Sequence, residues 1–204
     1  MKYKVINAGI IGNTLRELRQ RFAGGVSMLT AGDTVVILSG INDMLYPEHI
    51  ISLEEYKENM GGLAEDFRNA GMNVVIATVP QISAEKYFSA YPGTPVADPD
   101  TILEAADDTV REIALCSGYR LWDIRRILGN NMQYRLEDGM HLSAAGAETA
   151  AEVLAEIIRK KMKDGGTVLC FGDSIFYGPW LKGRGKADPD GETLPSYLAR
   201  CLNR

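Results

Sequence analysis

The chain is poor in the residues from which many active sites are built: only two histidines, three cysteines and two tryptophans occur in 204 residues. If an imidazole does chemistry here, it belongs to His49 or His141. Cys116, Cys170 and Cys201 have no metal-like spacing, which argues against a zinc knuckle or a disulfide framework. Their odd number and apolar contexts read as buried thiols in a reducing compartment. There is no excess of positive charge, with 22 Lys and Arg against 27 Asp and Glu and a net charge of −5, so a nucleic-acid or anionic-membrane partner is not expected. The cluster Arg16, Arg19 and Arg21 reads as a solvated helix face. No apolar run has the length of a membrane span. The stretch from Val5 to Ile11 is short, broken by Asn7, and shows no convincing cleavage site. The expected location is cytoplasmic. Internal repeats and low-complexity segments are also missing.

What is present suits one compact unit: 46% hydrophobic residues over this length can bury one good core, and one domain over 1–204 is expected. Short β-branched runs alternate with helical patterns, which predicts an α/β fold with a parallel sheet and helices on both faces. The candidate strands are Lys4 to Asn7, Thr34 to Ser39, Asn73 to Thr78, Arg120 to Asp123 and Thr167 to Phe171. Leu53, Tyr56, Met60, Leu63, Ala64 and Phe67 recur at helical spacing and stop at Gly71, a C′ glycine. Ala147, Ala150, Ala151, Leu154, Ile157 and Ile158 mark a helix from about Ser143, and Leu194, Leu198 and Leu202 a last one from about Glu192. Two stretches rich in Pro, Gly and aromatic residues, Gln81 to Pro99 and Gly178 to Gly191, read as irregular loops overhanging the C-terminal edge of the sheet.

Ser174 follows one of those strands in Gly172-Asp173-Ser174, a strand-to-turn-to-helix setting that presents a side chain at the sheet's C-terminal edge. Ester hydrolysis needs a nucleophile, a base, a group that orients the base, and donors for the oxyanion. His141 is the stronger base candidate, because Asp138 precedes it by three residues and a short turn lets the carboxylate reach one ring nitrogen while the other faces the serine. His49, after Pro47-Glu48, reads as a rim residue. The side-chain amide of Asn42 in Ser39-Gly40-Ile41-Asn42-Asp43 and the backbone N–H of Gly12 in Gly9-Ile10-Ile11-Gly12-Asn13-Thr14 are candidate oxyanion donors. Each motif alone also reads as an ordinary turn or helix cap. Their joint occurrence at strand exits places all of them on one rim.

In these blocks the chain resembles the SGNH hydrolases of the GDSL esterase family. Phe171-Gly172-Asp173-Ser174 with Tyr177-Gly178 matches the nucleophile block, Asn7 to Thr14 with Gly12 the glycine block, Gly40-Ile41-Asn42-Asp43 the Gly-x-Asn-Asp block, and Asp138 to His141 the Asp-x-x-His block. The resemblance implies a flavodoxin-like three-layer α/β/α sandwich with a five-stranded parallel sheet. It also implies a serine esterase acting through an acyl-enzyme on short-chain or acetylated-carbohydrate esters, without cofactor or metal. Ser174, His141 and Asp138 would be catalytic. Gly12, Asn42 and Ser174 would hold the oxyanion, and Asp173, Asp43, Tyr177 and Trp180 would contact substrate. The block order departs from the family: the serine block comes last. Reading from Thr167 to Arg204 and then on from Met1 restores it, as a circular permutation joined near 163–166 would. The implied spatial strand order by chain position is 1-5-2-3-4, with the chain ends near each other, away from Ser174. A segment on a Gly-Gly hinge also suits exchange within a homodimer. Two other readings stand beside this one. Asp173, Asn42, Asp43, Asp138 and His141 could gather metal ions for a phosphoesterase, and a non-catalytic acyl-sugar-binding module could keep the same fold.

Overall fold

The computed structural model describes residues 3–160 and 165–204. In chain order its elements are β1 (Tyr3–Gly9), α1 (Leu15–Gln20), α2 (Phe22–Val26), β2 (Thr34–Leu38), α3 (Ile41–Leu45), α4 (Leu53–Asn69), β3 (Asn73–Ala77), α5 (Ala84–Ala90), α6 (Pro99–Ser117), β4 (Arg120–Trp122), α7 (Ile124–Leu128), α8 (Ala144–Arg159), β5 (Gly166–Gly172), α9 (Ser174–Tyr177) and α10 (Leu194–Leu202). The five strands form one parallel sheet in the order β1-β5-β2-β3-β4.

All five residues of β2 are buried, as expected of a strand covered on both faces. Side chains alternate across the sheet. Val35, Ile37, Leu169 and Phe171 pack under α1, α4 and α6, whereas Val36, Leu38, Val168 and Cys170 face α7, α8 and α10. On the first face Phe67 joins Phe22 and Phe171 through edge-to-face contacts at centroid separations of 4.9 and 5.3 Å. Helix ends follow local chemistry. Ser52, Ser143 and Thr193 accept from backbone N–H groups at the starts of α4, α8 and α10, and Gly71 follows α4 with φ 88°.

The late strand β5 lies between β1 and β2, its last residue Gly172 opposite Gly9 on one side and Leu38 on the other. Ser174 therefore emerges at the sheet's C-terminal edge from an interior strand, one in from the edge strand β1. The helices that follow β1 and β5 lie on opposite faces, so the site falls at a switch point of the α/β sheet. At the opposite end Tyr3 and Asn203 are joined: Tyr3 N–H donates to Asn203 Oδ1 at 2.9 Å and Asn203 Nδ2 donates to Tyr3 O at 3.0 Å. Met1, and Lys163 and Asp164 of the expected joint, lie outside the described residues. No helix among the described residues is long and apolar enough to cross a membrane.

The structure corrects three expectations. The stretch from Gln81 to Pro99 is not a continuous loop: Ser83 caps α5 by accepting from Lys86 N–H, and Pro99 is the first residue of α6. Cys116 is exposed, while Cys170 and Cys201 are buried. Arg16 and Arg19 do make exposed ion pairs with Glu55 and Asp66, but Arg21 turns inward and lies 4.3 Å over the Phe171 ring.

Because Phe67 is fully buried between two aromatic rings from different layers, Phe67→Ala should cost about 3–5 kcal/mol of stability, measured by urea denaturation. A loss below about 1 kcal/mol would mean that this face repacks around the cavity.

Candidate active site

The nucleophile candidate owes its position to close backbone approach. A Cβ on Gly172 would stand 2.3 Å from Leu38 O, and one on Gly9 would stand 2.5 Å from Tyr177 N. Only glycine lets the three strand ends meet here. After Gly172, Asp173 caps α9 by accepting from Ile175 N–H at 2.9 Å, and Ser174 is the first residue of that single turn.

His141 closes a tight turn. Leu136 N–H donates to His141 O at 2.8 Å, Gly139 N–H donates to Leu136 O at 2.9 Å, and Gly139 supplies the required φ of 71°. The turn folds Asp138 back over its own backbone. Oδ1 accepts from Met140 N–H at 2.8 Å and His141 N–H at 2.9 Å, while Oδ2 lies 2.7 Å from His141 Nδ1. On the other side of the ring, Nε2 lies 2.9 Å from Ser174 Oγ. Burial would raise the Asp138 carboxyl, but the hydrogen bonds from the His141 ring and from the Met140 and His141 N–H groups outweigh it and hold it at about 2. An ionised carboxylate can only accept, so Nδ1 carries the ring proton and Nε2 accepts from the serine hydroxyl.

Gly12, with φ 77°, and Asn42 line the same cavity as Ser174 and His141, a space of about 310 Å³. Asn42 donates one amide N–H to Asn13 O at 2.9 Å, which orients the group and leaves its second N–H for another acceptor. The exposed Trp180 packs edge-on against His141 at a centroid distance of 4.7 Å. His49 stacks on Tyr46 at the rim.

Three sequence-predicted substrate contacts are not placed in the cavity. Asp173 is buried, and burial pushes it to about 7 in spite of the Ile175 N–H. Asp43 is also fully buried and accepts from Leu15 N–H and Ser39 Oγ, both at 2.8 Å. Burial raises it to about 6. The Tyr177 ring packs against Gly185 instead of the cavity. Of the carboxylates in the metal-site reading, Asp43 and Asp138 are engaged by local N–H and O–H donors, and Asp173 uses one oxygen on Ile175 N–H while its other oxygen has no partner. Among the described residues no group of three or more His, Cys, Asp or Glu side chains is placed to hold a metal ion. Leu45, Tyr87, Tyr91 and Met140 line the cavity without having been singled out as site residues. The aromatic content of the 81–99 stretch was a signal for the tyrosines; Leu45 and Met140 carried none.

Asp138 also sets a pH test. Its unfolded carboxyl titrates near 3.9 and its folded one near 2, so its ionised form adds stability above about pH 4 that fades as pH falls through 2. The stability lost in Asp138→Asn should shrink as pH falls from about 4 toward 2 in thermal melts. A deficit that grows on acidification would contradict the geometry.

Comparison with known proteins bears on the family and the fold. The family model described as GDSL-like lipase/acylhydrolase matches residues 1–149. Solved structures with the same fold include an acetylxylan esterase from Geobacillus stearothermophilus, 21% identical over 72% of this chain and 68% of that one, TM-score 0.57. A GDSL-like lipase from Bacteroides thetaiotaomicron is 19% identical over 74% and 73%, TM-score 0.61. A putative acylhydrolase from Bacteroides fragilis is 19% identical over 73% and 71%, TM-score 0.63. No curated protein matches. With the family model covering well over half of its residues, the chain belongs to the GDSL-like lipase/acylhydrolase family of carboxylic ester hydrolases.

Proposed function

We propose that the protein is a serine esterase in which Ser174, His141 and Asp138 form the catalytic triad. The observation that carries the reading is the single imidazole bridging Ser174 Oγ at 2.9 Å and Asp138 Oδ2 at 2.7 Å. Ser174 Oγ attacks the ester carbonyl as His141 Nε2 takes its proton. Asp138 holds the ring tautomer and offsets the imidazolium charge. The tetrahedral oxyanion is bound by the N–H groups of Ser174 and Gly12 and the amide of Asn42. His141 then protonates the departing alcohol, leaving acyl-Ser174. A water that gives its proton to His141 attacks this acyl group, and as the second tetrahedral intermediate collapses His141 returns that proton to Ser174 Oγ, releasing the carboxylic acid and restoring the serine.

The substrate we assign is a short-chain acyl ester, with an acetylated carbohydrate as the preferred alcohol side. A cavity of about 310 Å³ with Leu45 and Met140 in its wall has room for a short acyl group. The exposed Trp180 and Tyr46 offer aromatic faces on which the C–H side of a sugar ring can lie. The Geobacillus relative is an acetylxylan esterase.

We also interpret the block order as a circular permutation. The observed order β1-β5-β2-β3-β4 is the one that this history requires, and the family match ends at residue 149, before the serine block. A chain reopened at Gly165-Gly166 with Arg204 linked to Met1 should fold and hydrolyse the same esters, because its native contacts are retained. An insoluble or inactive product would count against that history.

Ser174→Ala should lower nitrophenyl acetate turnover by several orders of magnitude and abolish fluorophosphonate labelling while leaving the fold intact. Near wild-type turnover would sink the serine mechanism. Asn42→Ala should cost about 10²–10³-fold in kcat; a change confined to KM would make Asn42 a ground-state contact. Screening nitrophenyl esters of rising chain length beside acetylated xylose and glucosamine tests the substrate, and indifference to chain length would remove the short-acyl assignment.

A further inference from the structure

Arg21 ends α1, in the segment that follows the Gly12 loop, and its guanidinium turns under the nucleophile turn instead of into solvent. Its Nη2 donates to Gly172 O at 2.7 Å. The same carbonyl accepts from Ile10 N–H at 3.1 Å. Two residues beyond Gly172 is Ser174, and two residues beyond Ile10 is Gly12. One carbonyl thus joins the turn that carries the nucleophile to the loop that carries an oxyanion donor.

We propose that Arg21 is a positioning residue for catalysis, clamping Gly172 O so that the Ser174 hydroxyl and the Gly12 N–H keep the spacing the tetrahedral intermediate needs. The assignment rests on the serine-esterase reading above. Arg21 can act this way because its own backbone is fixed on both sides: its N–H donates to Glu17 O and its carbonyl accepts from Gly25 N–H, both at 3.1 Å. Glu17 in turn accepts from Thr14 N–H at 2.8 Å, so the Gly12 loop is tied at its far end to the same helix. The loop from Ile10 to Thr14 is therefore held at one end by Gly172 and at the other by α1, and Arg21 closes the ring between them.

The chemistry selects arginine. A planar cation can stack on Phe171 at 4.3 Å while donating sideways to the carbonyl, and the hydrogen bond is charge-assisted. Lysine would bring the charge without the flat face that lies on Phe171. Burial lowers Arg21 to about 10 against the opposing pull of Asp173, which leaves it cationic at neutral pH. There is little slack to absorb its loss, because the strand ends at Gly9, Gly172 and Leu38 are already in direct backbone contact.

The test uses the full chain with Arg21→Met and Arg21→Lys. It measures nitrophenyl acetate kinetics normalised to fluorophosphonate-labelled sites, together with inhibition by phenylboronic acid, whose tetrahedral serine adduct draws on both clamped elements. Arg21→Met should lower kcat roughly 10- to 100-fold with KM unchanged, since small displacements of reacting groups cost that much. Boronic acid affinity should weaken in parallel, as for a transition-state mimic, and Arg21→Lys should fall between. A folded Arg21→Met protein with wild-type kcat per labelled site and wild-type boronate affinity overturns the proposal, whatever its melting temperature. If the Met variant does not fold, Arg21→Lys decides, and wild-type values there overturn it equally. A wild-type protein that neither reacts with fluorophosphonate nor binds the boronic acid would instead bring down the serine mechanism itself.

Discussion

Everything at the site hangs on the insertion of β5 between β1 and β2, and on how closely their ends approach. Gly172 meets Leu38 O and Gly9 meets the start of α9 at distances that admit no side chain. That contact aligns three strand exits at one height. From them leave the loop with Gly12, the turn with Asn42 and the turn with Ser174, so the candidate oxyanion donors and the candidate nucleophile share one origin. A substituent at either glycine would push apart groups whose value lies in sub-ångström placement.

The histidine arrives by a different route. Its turn is stabilised mostly by itself, with Asp138 accepting two backbone N–H groups and one ring N–H. The same carboxylate folds the turn, fixes the tautomer and stays ionised. This is how so short a segment, with one glycine at positive φ, presents an oriented imidazole. Trp180, from the loop after α9, then covers one edge of the ring and limits its exposure to solvent.

The buried acids form a third layer behind the reacting groups. Asp43 fastens the Asn42 turn to the start of α1 through Leu15 N–H, and Asp173 caps α9 beneath Ser174. Both are raised by burial, to about 6 and about 7. They hold the turns that carry Asn42 and Ser174 and do not reach the cavity themselves.

The sequence by itself determined the strands, the main helices and the triad candidates, because these depend on local information. Period-2 and period-3.6 patterns are written in neighbouring residues, and Asp138 reaches His141 within one turn. The resemblance of its blocks to the GDSL family, read with their altered order, also implied where β5 sits. Side-chain direction at the strand exits was decided only in three dimensions. Asp43, Asp173 and Tyr177 stand next to site residues in the chain, yet the strand-to-helix turns rotate successive side chains to opposite sides, so they point into the core or against Gly185. Arg21 looked solvent-facing within a helix pattern shared with Arg16 and Arg19. Only the tertiary packing, which brings Phe171 and Gly172 O from a strand 150 residues later in the chain to within reach, gave its charge a partner and turned it inward.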